Sequence, residues 1–467
     1  MEFRGALPVL VCALLLHIGA IQATLIDNVA VQWNSLGSTL ICNSNGFRVF
    51  GTGVMLPHLH LAQWHALLAL KETGTCTTEE AVVAYASHRV LSHYFPFWQD
   101  LAIDPLLTAQ VIALKLSDSQ LKLAKRLGTA VALDILSKQD VPKEFGQKDI
   151  KDELNARLKQ GLTPGLFSYH NNTPAGIAEA VFINPVIIRT FVVPDAVDYI
   201  EDHMDDIKPP AVPSDAWDAE YEALKDIGRV DWPGRTTEMN ITAAIYGCFH
   251  TGHCSLETLS FKVARTVLPA DTSLYNTVLL FAKIGVACHD ATVVLGNIQW
   301  GYSFWRPFMA FRNGDPRHAP NPSWTPFSDN PYHPEYPSGT VAVLSAGMTT
   351  LQSFFGDKDV AFSLERGTIL PGFPCAYTGG ELGTRHYKSL ADLVKESQNG
   401  RMYAGGHWNI SVIDGLTVGA RVSKYVEKKW GRAKTVPMGV LPDPHYMNIV
   451  AKQPDKAGQF SPVTLTY

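Results

Sequence analysis

Residues 333–340 read HPEYPSGT and lead directly into an apolar pattern over residues 341–355. That pattern predicts a helix that begins just after Gly339. Ser338 supplies a hydroxyl at this point, and Gly339 lets backbone N–H groups approach a ligand without a side chain in the way. Because the N-terminus of a helix carries partial positive charge, this turn is suited to binding an anion.

Helical patterns continue on both sides of this stretch. Apolar residues recur at three- and four-residue steps over residues 61–71 and 79–93, and further helical runs cover residues 104–116, 117–137, 256–267 and 275–299. Thr77 or Thr78, ahead of Glu79 and Glu80, is typical of a helix start. Alternating strand patterns are scarce, so the sequence predicts a mainly α fold built from one or two helical bundles.

Pro-rich segments interrupt the helical pattern. Residues 209–213 read PPAVP and predict a loop between an N-terminal helical half, residues 24–213, and a C-terminal helical half, residues 214–467. Residues 314–337 contain seven prolines. An irregular stretch of that length inside a compact domain indicates a functional loop or a lid.

The N-terminus has the pattern of a secretory signal over residues 1–23. Arg4 supplies positive charge, residues 7–18 form a short apolar core, and Gly19, Ala20 and Ala23 offer small residues for cleavage. A buried first helix is the alternative. Since no later stretch has about 20 uninterrupted apolar residues, the sequence predicts a secreted protein without a membrane span.

Cysteines and glycosylation triplets agree with secretion. Removal of the signal leaves six cysteines, an even number that is consistent with disulfides but does not reveal their pairing: Cys42, Cys76, Cys248, Cys254, Cys288 and Cys375. They lack zinc-type spacing. Three Asn-x-Ser/Thr triplets, beginning at Asn171, Asn240 and Asn409, predict a glycoprotein.

Bulk composition limits the function classes. With 46% hydrophobic and 18% charged residues in 467, the chain is globular and not disordered. Its net charge of −5 comes without a long run of one sign, which argues against nucleic acid as a partner. Any anion site must therefore be local and built from a few converging residues.

Two further segments contribute residues suited to such a site. Residues 299–307 read QWGYSFWRP and contain Arg306, and residues 401–408 read RMYAGGHW and contain Arg401 and His407. Each arginine can give a planar fork of N–H donors to the oxygens of a tetrahedral anion. His407 can act as a nucleophile toward phosphorus or as a ligand to a metal-oxide centre. Taken singly, each residue also fits an ion pair, a turn or a packing role.

The order of these segments resembles the superfamily of vanadium-dependent haloperoxidases and type 2 phosphatidic acid phosphatases (acid phosphatases). The family pattern is Lys, six residues, Arg-Pro; then Pro-Ser-Gly-His; then Ser-Arg, five residues, His, three residues, Asp. This chain matches it at Arg306-Pro307, at Pro337-Ser338-Gly339, and at Arg401 with His407. The flanks resemble the haloperoxidase branch at Trp300, Phe304-Trp305, residues 333–336 and Trp408, and weaker similarity at residues 87–91 and 287–291 extends the resemblance over most of the mature chain.

The resemblance implies a helical bundle of the haloperoxidase type that binds vanadate, with phosphate as the alternative anion. The implied binding residues are Gln299, Arg306, Ser338, Gly339, Arg401 and His407. His407 would be the protein ligand to vanadium, and His407, Arg306 and Arg401 would be the catalytic residues. Peroxide and halide, or a phosphoester, would be the small-molecule substrates.

Four positions depart from the family pattern. Gln299 stands where the family has Lys, Thr340 where it has the acid–base His, Gly400 where it has Ser, and Ser411 where it has the Asp that orients the histidine. General acid–base catalysis typically contributes about 10²–10⁴-fold in rate. An imidazole without an orienting partner is no longer held in one tautomer and one direction.

Nearby residues offer compensation for these departures. Asp414 is a candidate to orient His407, and His333 either supplies an acid or fixes its loop with a hydrogen bond. Asp290 is expected to be buried and paired, with an arginine of the site as its natural partner. Asn409, two residues from His407, is expected to be largely buried.

Three functions remain open from the sequence. The first is vanadate-dependent oxidation of halide by peroxide, with altered site chemistry. The second is a phosphatase-type hydrolase in which His407 attacks phosphorus, restricted to substrates with good leaving groups. The third is a secreted scaffold or oxyanion-binding protein without catalysis.

Overall fold

The computed structural model describes residues 28–43, 53–138, 147–159, 161–168, 186, 188–248, 255–369, 375–430, 448–451 and 454–466. The predicted signal and the triplet at Asn171 lie outside these residues. The chain divides into two compact units, of which the first includes residues 28–43, 54–138 and 268–282 and the second includes residues 139–267 and 283–467. The division after residue 213, which the sequence pattern indicated, stays a prediction.

The first unit contains helices whose positions the sequence largely predicted. They are α1 (Val29–Asn43), α2 (Met55–Thr73), α3 (Glu79–Tyr94), α4 (Asp104–Leu114) and α5 (Asp118–Lys138). Helix α3 begins where the capping pattern placed its start, because the Thr78 side chain accepts a hydrogen bond from the Ala81 N–H at 3.3 Å. The helical runs predicted from residues 61, 79, 104 and 117 are confirmed.

The second unit is also helical. Along the chain its elements are α6 (Gln147–Leu158), α7 (Ala196–His203), α8 (Asp215–Lys225), α9 (Thr237–Gly247), α10 (Leu256–Val267), α11 (Leu274–Tyr302, which begins in the first unit), α12 (Pro307–Asn313), α13 (Gly339–Phe355), β1 (Phe362–Glu365), β2 (Thr384–Tyr387), α14 (Leu390–Tyr403), α15 (Asn409–Trp430), β3 (Asn448–Ala451) and β4 (Val463–Thr466). The strands form two antiparallel pairs, β1 with β2 and β3 with β4. The mainly α class is confirmed.

Helix α11 is mostly buried and has Gln299 in its last turn. By length and composition it is apolar enough to cross a membrane, but 83% of its most apolar window is buried inside the protein. Burial of that kind is typical of a core helix, whose sequence is apolar all round.

The Pro-rich stretch of residues 314–337 contains neither a helix nor a strand, as predicted. Its middle is anchored by Trp324, which is 1% exposed, stacks on Phe311 at 4.5 Å between ring centroids and donates its indole N–H to the Lys225 carbonyl at 2.9 Å. The far end of the stretch, residues 333–338, is buried and turns directly into α13. This anchoring fixes the loop that delivers Ser338.

A disulfide joins Cys248, at the end of α9, to Cys375. Cys76 is exposed and Cys288 is buried, and both are free thiols. The predicted use of disulfides is therefore confirmed for one pair, whose partners are 127 residues apart in the chain.

Helices α13 and α15 approach each other closely at Gly419. A Cβ atom at this position would lie 2.0 Å from the Ala342 carbonyl oxygen and 2.9 Å from the Ala346 nitrogen. Both neighbours are helix backbone, so neither can move aside as a flexible side chain would. The glycine lets the start of α13, which carries Ser338 and Gly339, lie directly against α15.

We predict that Gly419→Ala destabilises the protein by about 1–3 kcal/mol, the usual cost of overpacking. Helix propensity alone would act in the opposite direction by about 1 kcal/mol, so the sign of the change tests the close approach. Thermal unfolding measures it, with Gly161→Ala as the control because no atom lies within 4 Å of the added Cβ there. An unchanged or raised midpoint for Gly419→Ala would contradict the packing.

Candidate active site

The structure places the residues predicted for the site on five segments of the second unit. Gln299 lies in the last turn of α11, Arg306 is the N-cap of α12, Ser338 is the N-cap of α13, and Arg401 lies in the last turn of α14. His407 follows in the short connection between α14 and α15. All five side chains are buried.

Direct contacts connect these segments. Arg306 Nη1 lies 3.4 Å from His407 Nε2, and Gln299 Nε2 donates to the Pro337 carbonyl at 2.8 Å. The Ser338 N–H donates to the Ser411 carbonyl at 3.0 Å, which joins the first turn of α15 to the start of α13. The structure therefore brings these segments into contact with one another.

Arg306 is held by backbone carbonyls. Its Nε donates to the His333 carbonyl at 3.1 Å, its Nη1 to the Gly406 carbonyl at 3.0 Å, and its Nη2 approaches the Pro334 carbonyl at 3.4 Å. This arrangement fixes the guanidinium plane beside His407. The contacts to His407 and Pro334, both 3.4 Å, are weak and can be exchanged for stronger bonds to an anion.

Two donors of the site lack an acceptor among the described residues. Ser338 caps α13 without a side-chain capping bond, and its Oγ is buried with no partner. Arg401 donates through Nη1 to the Tyr246 carbonyl at 2.5 Å, whereas its Nε is buried and unpartnered. Buried donors are usually satisfied in native proteins, so these two atoms are available to a ligand with acceptor oxygens.

His407 presents one ring nitrogen to the site and turns the other away from it. Nε2 faces the Arg306 donor, so Nε2 carries the lone pair and Nδ1 carries the proton. Nδ1 lies 2.5 Å from Oε1 of Glu335, which also accepts the Trp408 N–H at 3.2 Å. Glu335 was not among the predicted site residues, although it stands in the quoted segment three residues before Ser338.

Burial and like charge favour a bound anion. Burial lowers the pKa of Arg401 to about 10, with Glu335 acting in the opposite direction. It also lowers the pKa of Arg306, to which the neighbouring Arg401 contributes. The pKa of His407 falls well below its ordinary value, first through burial and then through Arg306 and Arg401, so its imidazole is neutral. An anion between these groups would stabilise both guanidinium charges.

His333 takes the role of fixing its loop. Its Nδ1 lies 2.9 Å from the Pro334 carbonyl, and its Nε2 lies 3.2 Å from Arg306 Nη2. Burial and then Arg306 lower the pKa of His333 well below its ordinary value. The ring is therefore neutral and accepts a hydrogen bond from Arg306 instead of offering a proton in place of the missing family histidine.

Two predicted pairings are wrong. Asp290 is fully buried as expected, but its carboxylate accepts the N–H groups of residues 191, 192 and 193 at 2.7–2.9 Å instead of an arginine. Three consecutive N–H groups in a turn form a concave anion site that satisfies a carboxylate without a cation. Asp414 does not reach His407, because it accepts the hydroxyl of Tyr336.

Local packing explains why position 400 is glycine. The burial of Asn409 differs from what the sequence predicted. A Cβ atom at Gly400 would lie 2.5 Å from the Tyr246 ring and 2.9 Å from the Thr242 carbonyl, so the family serine does not fit here. Asn409 is half-buried and not largely buried, and it hydrogen-bonds Glu220. Thr340 is also half-buried, in the first turn of α13.

The described helices thus bring together two buried arginines, a serine at a helix N-terminus and a histidine, an arrangement suited to binding a tetrahedral anion. Comparisons with known proteins agree. Residues 279–434 match the family described as the VCPO second helical-bundle domain. Vanadium chloroperoxidase of Curvularia inaequalis is 27% identical over 186 residues, which span 32% of this chain and 30% of that protein.

Solved structures extend the likeness in fold over most of the chain. A bacterial vanadium-dependent iodoperoxidase aligns with a TM-score of 0.64 at 17% identity, covering 86% of this chain and 95% of that one. A bacterial vanadium-dependent chloroperoxidase in its apo form aligns with a TM-score of 0.58 at 13% identity, covering 82% and 94%. The chain is thus similar to vanadium haloperoxidases, in sequence through residues 279–434 and in structure through its helical fold.

Proposed function

We propose that this protein binds vanadate at His407 and uses hydrogen peroxide to oxidise a halide, with chemistry altered by its substitutions. The observation that carries the proposal is the pair of unfilled buried donors, Ser338 Oγ and Arg401 Nε, beside the neutral His407. When bound, vanadate supplies the centre at which peroxide is activated. The relatives named above are vanadium-dependent haloperoxidases, which supports this choice of anion.

Each residue of the candidate site would have its own role in binding the anion. His407 Nε2 would be the ligand to vanadium, because its lone pair is directed at the site. Ser338 Oγ and Arg401 Nε would donate to the oxygens, Arg306 would add positive charge, and the N–H groups at the start of α13 would face the anion at Gly339. Gln299 lies beside them as a neutral group, where the family lysine would add a charge.

A phosphatase-type reaction is the second candidate. The neutral imidazole of His407, hydrogen-bonded to a buried acidic side chain, is also the arrangement of an oriented nucleophile. Nε2 would attack phosphorus and displace the leaving group. Since Thr340 cannot protonate that group, hydrolysis would be confined to aryl phosphates and anhydrides.

Secretion is proposed on separate grounds. Residues 7–18 form the apolar core of a signal pattern. The Cys248–Cys375 disulfide supports an oxidising compartment, since such bonds are rare where thiols are kept reduced.

Calorimetric titration with orthovanadate tests the oxyanion site. We predict binding to the wild type and a loss of at least about 100-fold in affinity for both His407→Ala and Arg401→Ala. Charge-assisted hydrogen bonds contribute about 1.5–3 kcal/mol each, and the vanadium ligand is lost as well in the histidine variant. Matched controls are His386→Ala, whose side chain is exposed on strand β2, and Arg421→Ala, paired with Asp206 on the surface.

The outcome decides among the three functions. Binding in wild type and controls, lost in both site variants, supports an oxyanion site. Halide oxidation by the loaded protein then favours the peroxidase, whereas hydrolysis of an aryl phosphate with inhibition by vanadate favours the phosphatase. Absence of binding to vanadate and phosphate in the wild type would overturn both and favour a scaffold without catalysis.

A further inference from the structure

The family position for the residue that orients the histidine is occupied by serine in this chain. Ser411 Oγ lies 3.5 Å from His407 Nδ1, which is at the limit of a hydrogen bond, and a hydroxyl carries no charge. Asp414, one helical turn further along α15, is engaged by the Tyr336 hydroxyl. The first turns of α15 therefore offer His407 no carboxylate.

A carboxyl group reaches His407 from a different segment. Glu335 lies 72 residues earlier in the chain, on the loop that precedes α13, and its Oε1 lies 2.5 Å from Nδ1. Its side chain is 0% exposed, so water does not compete for this bond. The same oxygen accepts the Trp408 N–H, and one carboxyl group thus holds both the ring and the backbone beside it.

The backbone on both sides of Glu335 is fixed. Its own N–H donates to the Phe304 carbonyl at 2.9 Å, and the next residue, Tyr336, donates its hydroxyl to Asp414. Three residues on, the Ser338 N–H donates to the Ser411 carbonyl. The carboxyl group is therefore placed by the same loop that places Ser338, which makes it a rigid support for the imidazole.

We propose that Glu335 is the positioning residue of His407. It takes the role of the family aspartate, whose position in this chain is occupied by Ser411. It holds the proton on Nδ1 and leaves the lone pair of Nε2 directed at the anion, so the assignment rests on the proposed oxyanion site. Removing an outer partner of this kind typically costs about 10–100-fold in affinity for the metal or in activity. A consequence is that an acidic side chain returned to position 411 should take over the role.

The test relocates the carboxylate. Glu335→Gln, Ser411→Asp and the combined Glu335→Gln/Ser411→Asp variant are compared by ¹⁵N NMR of histidine-labelled protein, with His407→Ala identifying the His407 signals. Glu335→Gln should lose the pure Nδ1–H tautomer, because its amide both donates and accepts, and should weaken vanadate binding about 10–100-fold. The combined variant should recover both. Glu220→Gln, a half-buried carboxyl that accepts the Ile410 N–H, is the matched control and should leave the His407 signals unchanged.

Each result is decisive for the assignment. Unchanged His407 signals and affinity in Glu335→Gln would overturn it, as would a combined variant no better than Glu335→Gln. If Glu335→Gln does not fold, Glu335→Asp keeps the carboxyl group but withdraws it by one methylene, and it should weaken the tautomer signature partially. The NMR readout is taken without anion, so a wild type that does not bind vanadate would overturn the proposed function while the tautomer still decides the role of Glu335.

Discussion

Vanadate-dependent oxidation of halide should rise by about 10²–10⁴-fold when Gln299→Lys and Thr340→His are combined, because that is the usual contribution of general acid–base catalysis. The lysine restores a positive charge at a position whose amide nitrogen now donates to the Pro337 carbonyl, an acceptor that an ammonium group can share. Thr340 is half-buried in the first turn of α13, so a larger side chain at this position is not fully enclosed. Peroxide-dependent halogenation of a dye by the vanadate-loaded protein measures the rate.

The single variants separate the two contributions. Gln299→Lys should act mainly on affinity, by about 10–100-fold, since a charge-assisted hydrogen bond is worth about 1.5–3 kcal/mol. Thr340→His should act on the rate at saturating vanadate. Gln299→Met combined with Thr340→Ala adds neither a charge nor an acid and should show no gain. A combined lysine and histidine variant that binds vanadate but stays inactive would contradict a peroxidase site weakened at these two positions.

Arg306→Met should abolish vanadate binding and the thermal stabilisation that vanadate confers. The guanidinium is fully buried beside His407, and burial together with Arg401 disfavours its charged form, so a bound anion relieves an existing electrostatic cost. A ligand at about a hundredfold excess over its Kd stabilises the native state by about 2.7 kcal/mol. The wild type should therefore unfold at a higher temperature with vanadate than without it.

Thermal unfolding with and without vanadate measures this difference. Arg317→Met is the matched control, because Arg317 pairs with Asp215 and Asp218 at the surface and should leave the vanadate effect intact. Retention of the vanadate shift in Arg306→Met would show that the buried guanidinium does not contact the anion. That result would remove Arg306 from the site while leaving His407 and Arg401 to be judged by calorimetry.

The structure changes the interpretation of two of the four departures from the family pattern. Gly400 is explained by Tyr246, whose ring occupies the space that a serine Cβ would need. Ser411 is explained if Glu335 supplies the carboxyl group from another segment. Gln299 and Thr340 still lack the charge and the acid that the family pattern has at these positions. We therefore expect substitutions at these two positions to increase activity.

Features that depend on neighbouring residues in the chain were available from the sequence. The periodic runs located α3, α5, α10 and α11, and Thr78 marked the start of α3, because helix formation and capping involve side chains three or four residues apart. The turn at Ser338 and Gly339 with the helix after it was predictable for the same reason. The order of the arginine, serine and histidine segments, through its resemblance to the family pattern, predicted an oxyanion site.

Partners that are distant in the chain were decided only by the tertiary structure. Glu335 meets His407 across 72 residues, and Asp290 meets the N–H groups of residues 191–193 across 97 to 99 residues. Sequence chemistry favoured a cation for the buried Asp290 and a carboxylate on α15 for His407, and both expectations were wrong. A buried polar group binds whichever partner the packing of its surroundings brings within about 3 Å, and no local pattern encodes that choice.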